Sequence, residues 1–100
     1  MAKNPNTTLS GGSFPESTIE AVWRKATPIA GNPGYAKDRC GATMYCHAHG
    51  QNSDFGWHVD HIKPKIKGGT DDLWNLQPLH WRNNLGKGDD YPDWKCTVRS

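Results

Sequence analysis

GWHVDHIKPKIKGGTDDLWNLQPLHWRNNLGKGDD, residues 56–90, carries three of the chain's five histidines, three asparagines and five aspartates. A core would take apolar side chains at these places, and a disordered linker has no use for three tryptophans. The run reads as polar chemistry on a folded frame. WHVDHI, residues 57–62, has strand formers at Val59 and Ile62 and closes at Pro64. Gly68-Gly69 marks a tight reversal in the loop that follows, and Thr70 is placed to cap a single helical turn. NLQPLH, residues 75–80, reads as a short strand, bent or at an edge because of Pro78. WRNNLGKG reads as one or two turns of helix, stopped by Gly88. The segment is therefore strand, loop, strand, short helix.

Working outward, residues 41–50 have a strand-like middle in which Met44 and Cys46 share one face and Tyr45 and His47 the other. GNPGYAKDR, residues 31–39, is turn chemistry. STIEAVWRKA predicts a helix with Ser17 and Glu20 as a capping box. Its Ile19, Val22, Trp23 and Ala26 fall on one face, and Pro28 stops it. Residues 1–16, rich in Asn, Thr, Ser, Gly and Pro, predict a flexible lead-in. The expected architecture is α+β: one domain over residues 17–96, with 97–100 a frayed tail.

Bulk numbers bound the function. A chain of 100 residues buries only about 60–65% of its unfolded surface. With 34% apolar residues, its five tryptophans should carry much of the core, Trp57, Trp74 and Trp81 among them. The net charge of +2 does not by itself mark a nucleic-acid binder. Three cysteines argue against a fully paired disulfide framework. The N-terminus lacks the apolar core of a secretory signal, and no stretch approaches the ~18 apolar residues of a membrane span. A soluble, cytoplasmic protein with no membrane partner is expected.

The chemistry centres on Asp60-His61. A carboxylate is a hard oxygen ligand for Mg²⁺ or Mn²⁺, and a neutral imidazole can take a proton from water near pH 7. Together they form a recipe for phosphodiester hydrolysis. In a regular strand the two side chains point to opposite faces, so a shared site needs a twist, a bulge or a strand end. Asn84 offers an amide oxygen from the helix, and Asn75 could brace the loop.

The ordered string Asp60-His61-Ile62-Lys63-Pro64, Gly68-Gly69, Asn75-Leu76, Leu79, and Asn84 followed by Lys87 resembles the HNH endonuclease family, the ββα-metal or His-Me finger nucleases. The resemblance covers about 35 residues well and extends loosely upstream through DRCGATMYCHAHG. It implies a small ββα-metal fold, a β-hairpin plus short helix around one metal site, accompanied here by the N-terminal helix and an extra strand or hairpin. It implies His61 as general base, Asn75 as the residue that holds the loop and orients the base, and Asp60 and Asn84 as ligands of one divalent ion. Mg²⁺ is the first choice for that ion, with Mn²⁺ or another transition ion next. It also implies cleavage that leaves 5′-phosphate and 3′-hydroxyl ends. DNA is the expected partner.

Two departures from the family pattern stand out. Many members hold a structural zinc with two C-x-x-C pairs, but here the second pair's positions are His80 and Asn83, so no Cys₄ zinc is expected. A zinc assembled from Cys40, Cys46, His47, His49 or His80 stays open beside the simpler reading of small buried thiols and surface histidines. His58 shares Asp60's strand face, and with His80 and Asn83 it is a candidate further ligand or supporting group. Lys63, Lys65, Lys67, Arg82 and Lys87 surround the site and are expected to contact phosphates, giving a salt slope of roughly −4 to −5. A single site would nick, and concerted double-strand cleavage would call for a homodimer or a larger complex. The competing function is a non-catalytic, zinc-containing nucleic-acid-binding module. Whether the role is restriction, phage, toxin or homing is not written in the residues.

Overall fold

The fold was obtained as a computed structural model that describes residues 5–100. Its centre is the hairpin expected from residues 57–80. Strand β4 (Trp57–His61) pairs antiparallel with β5 (Leu76–His80), and helix α2 (Trp81–Lys87) follows directly and packs on both. The pairing runs unbroken from Trp57 opposite His80 to His61 opposite Leu76, with Asp60 opposite Gln77. Pro78 sits opposite Val59; a proline is accommodated because each strand of this two-stranded sheet is also an edge.

A second antiparallel sheet precedes it: β1 (Thr27–Pro28), β2 (Tyr35–Lys37) and β3 (Thr43–Tyr45), in that order. Helix α1 (Glu16–Trp23) packs on β5. The expected apolar face of α1 is the one it uses. Val22 is buried, and Ile19 and Trp23 pack beside it; the helix ends at Trp23, short of the expected reach, so Ala26, also buried, lies beyond it. The cap differs from expectation. Pro15 stands at the N-cap without a side-chain bond, and Ser17 lies inside the helix, so no capping box forms. Pro fits the start of a helix because the N–H it lacks would have no partner there.

The core joins both sheets through Met44, Trp57, Val59 and Leu76, each at most 1% exposed. Trp57 anchors it, packing at 5.1 Å from Trp23 with the rings tilted by 40° and donating its indole N–H to the Tyr45 carbonyl at 3.0 Å. Each fully buried Leu, Val or Met contributes about 1.5–3 kcal/mol, so a core this small needs help. Trp74 does not provide it. Expected inside, it lies 68% exposed in the loop between β4 and β5.

Part of the help is covalent. Cys40 and Cys96 form a disulfide across 56 residues of sequence, which corrects the reading of these sulfurs as buried thiols. Cys46 keeps a free thiol. Residues 97–98, expected to fray, are tied down. Asn83 accepts from the Thr97 and Val98 N–H groups and donates to the Val98 carbonyl. The lead-in, of which residues 1–4 lie outside the described residues, is also engaged. Phe14 is buried, the Asn6 side chain accepts from the Val59 N–H, and the Leu9 N–H donates to Asp71.

Candidate nuclease site

The two faces of β4 carry different chemistry. His58 and Asp60 point toward α2, where Asn84 and Lys87 lie one turn apart on the facing side. His58 Nδ1 and Asn84 Nδ2 are 3.0 Å apart. The Lys87 ammonium is 3.4 Å from both Asp60 oxygens and donates to the His61 carbonyl at 3.0 Å. Gln77, opposite Asp60 in register, donates to Asp60 Oδ2 at 2.9 Å. His58, Asp60, Asn84 and Lys87 are all buried, Asp60 and Lys87 at 1% exposure.

Helix α2 is therefore built inside out. It buries Asn83, Asn84 and Lys87 and exposes Leu85. A buried polar group is costly unless it is paired. Among the described residues no buried side-chain nitrogen or oxygen lacks a partner. Lys87 is thus not the phosphate-contacting surface lysine the sequence suggests. Its charge is spent on Asp60, and its side chain is 1% exposed.

His61 uses the other side of the strand. Its Nε2 lies 2.8 Å from Asp71 Oδ1, and Phe14 packs near the ring at 5.9 Å. A carboxylate only accepts, so this contact places the proton on Nε2 and leaves Nδ1 as the basic nitrogen. β4 pairs regularly to its end, without a bulge, and His61 is its last residue. The anticipated conflict between neighbours on opposite faces is real: Asp60 turns to α2 and His61 to Asp71. With no bulge, a twist or the strand end is the route by which both can serve one site.

Asn75 braces the loop from inside. Its Oδ1 accepts from the Lys63 N–H at 2.9 Å, and its Nδ2 donates to the Lys63 and Thr70 carbonyls. Gly69 lies against the same carbonyl. A Cβ there would stand 1.7 Å from Lys63 O, so only glycine fits. Thr70 does not cap the turn Leu73–Asn75. Asp72 stands at its N-cap, and Thr70 instead bonds Asp72.

The other candidates are architectural. His80 bonds the Asp54 carbonyl through Nε2 and accepts from the Arg82 N–H through Nδ1. Asn83 joins Asp38 to the C-terminal tail. The open zinc set accordingly loses Cys40 to the disulfide, both His80 nitrogens, and His49 Nε2, which bonds Asn6. Burial lowers the His49 pKa from its ordinary 6.5, partly offset by the Glu16 charge. Among the described residues no group of three or more His, Cys, Asp or Glu side chains is disposed to hold a metal. A hard divalent ion takes carboxylate and amide oxygens and completes its shell with water. The Asp60 carboxylate and the Asn84 amide oxygen fit such an ion chemically, with the Lys87 ammonium as a competing cation.

Lys65 and Lys67 are exposed; Lys65 also donates to the Leu9 carbonyl. Arg82 is exposed and lies over the Trp81 ring at 5.1 Å, while Lys63 is partly buried. The residue the sequence reading missed is Asp71, whose only signal was its place in the Asp71-Asp72 pair.

The site thus sits in a small α+β domain, a hairpin followed by a short helix, with a histidine–carboxylate pair at the strand end. Residues 40–90 match the family model described as HNH endonuclease, and the chain belongs to that family. No curated protein and no solved structure gives a significant match.

Proposed function

We propose that the chain is a divalent-metal-dependent endonuclease that hydrolyses DNA phosphodiester bonds, with the β4–β5 hairpin and α2 acting as the ββα-metal unit. The observation that carries this is the His61–Asp71 contact, which leaves His61 Nδ1 basic one residue from a buried carboxylate. His61 takes the proton from the attacking water, and the Asp71 carboxylate stabilises the imidazolium that forms. Asn75 keeps the loop that carries Asp71 in place. Asp60 and Asn84 would hold the ion, Mg²⁺ in the first instance. When bound, that ion neutralises charge on the phosphate and the leaving oxygen. Lys63, Lys65, Lys67 and Arg82 contact phosphates. Four such contacts give a salt slope of about −4. One site per chain nicks, so open-circular DNA is the expected first product.

The test is supercoiled plasmid with wild type and His61→Ala, each with Mg²⁺, Mn²⁺ or EDTA. Conversion by wild type with metal only, and loss of about 10²-fold or more in the variant, supports the assignment. Equal cleavage by the two proteins removes His61 as base. No cleavage under any condition returns the non-catalytic binding module.

A further inference from the structure

A cleft of about 320 Å³ opens between the α1–β1 connection, β2 and β5. Lys25, Lys37 and Arg39 line it, together with Asp38, Ile62 and Gln77. Its position matters first. Ile62 directly follows His61, and Gln77 is the residue that donates to Asp60. The cleft therefore adjoins the candidate site through Gln77 and Ile62.

Its charge matters next. Three cations line it against one carboxylate, and that carboxylate is committed. Asp38 Oδ1 accepts from the Cys40 and Ala42 N–H groups, and Oδ2 accepts from the His80 N–H and the Asn83 amide. Asp38 is 5% exposed, so its charge is spread over four internal bonds. Lys37 and Arg39 are exposed and, among the described residues, carry no such commitment to an acid, Arg39 lying over Trp94 at 5.1 Å. Lys25 donates to the Leu73 and Leu76 carbonyls, which fixes its ammonium at the cleft wall.

Its chemistry names the ligand class. No aromatic ring among the described residues lines the cleft for base stacking, and its one side-chain amide already donates to Asp60. The volume is small, at the lower end of ligand pockets. This suits a sugar-phosphate unit and not a base or a duplex. We infer that this cleft, through Lys25, Lys37 and Arg39, seats a backbone phosphate of the nucleic-acid strand running past the end of β4. The contact positions the strand without reading its sequence. The ligand's identity rests on the nuclease reading; the phosphate chemistry of the cleft does not.

The experiment is fluorescence anisotropy in EDTA, with a labelled 20-base-pair duplex and the matching single strand, for wild type and Lys37→Gln/Arg39→Gln. The expected result is weaker binding by on the order of 10-fold at moderate salt, and a log–log salt slope shallower by about 2. Lys37→Gln alone, which leaves the Arg39–Trp94 contact intact, should take away about 1 of that slope. Unchanged affinity and slope in the double variant overturns the cleft, even if wild type cuts plasmid. Binding that depends on the cleft in a protein that cuts nothing keeps the cleft and removes the nuclease. Failure of wild type to bind either probe overturns the cleft as a nucleic-acid site.

Discussion

The Lys87 ammonium stands 3.4 Å from both carboxylate oxygens of Asp60, and each side chain is 1% exposed or less. Breaking a buried pair from one side strands the other charge, at a cost of about 3–5 kcal/mol. Lys87→Met should therefore lower unfolding stability by about 3 kcal/mol or more in EDTA, and Asp60→Asn/Lys87→Met should recover a large part of it. Urea unfolding of the three proteins checks this. If Asp60 also holds the ion, Mn²⁺ should raise the melting temperature of Lys87→Met more than that of wild type, since the ion restores the missing positive charge.

Asp71 holds the His61 ring at 2.8 Å. Partners of this kind are worth about 10–100-fold in activity at metal sites. Asp71→Ala should slow nicking by about 10-fold with the fold kept, and Asp71→Asn, whose amide oxygen still accepts, should fall between the two. Single-turnover nicking rates separate this from weaker binding.

The disulfide closes a 56-residue span, for which loop-closure entropy predicts about 4 kcal/mol. Cys40→Ser/Cys96→Ser should lose an amount of that order in urea. Asn83→Ala removes bonds to Asp38, Thr97 and Val98 and should cost about 2–3 kcal/mol. The two losses should be less than additive, because both release the same tail.

His49 has a pKa pushed down by burial, with the Glu16 charge opposing the shift. The unfolded chain then binds more protons than the folded one just below pH 6.5, so stability is full above that pH and falls as the pH drops toward the lowered value. Denaturation midpoints between pH 7.5 and 5 should decline, and the decline should be shallower in His49→Gln, which can still donate to Asn6.

The hairpin and its helix were legible because their signals are local. Strand alternation, Pro64, Gly68-Gly69 and Gly88 set β4, β5 and α2 to within a residue. The hydrogen bonds of Asn75 are local in the same sense, its partners lying 5 and 12 residues away. What failed depended on distant chain. Cys96 finds Cys40, Phe14 finds the core, and Lys87 finds Asp60 27 residues back. The pattern of α2 would turn Leu85 inward and Lys87 out; the pairing energy of β4's polar face reverses it. Trp74 misleads in the same way, since size argues for burial and only the fold shows that its loop faces outward.

The split between the two faces of β4 makes its length more constrained than its letters. Inserting one residue directly after Trp57, with Trp57 held in place, would aim His58 and Asp60 at the core and Val59 at Asn84. No repacking of α2 can absorb that exchange. The spacing that carries these side chains cannot drift.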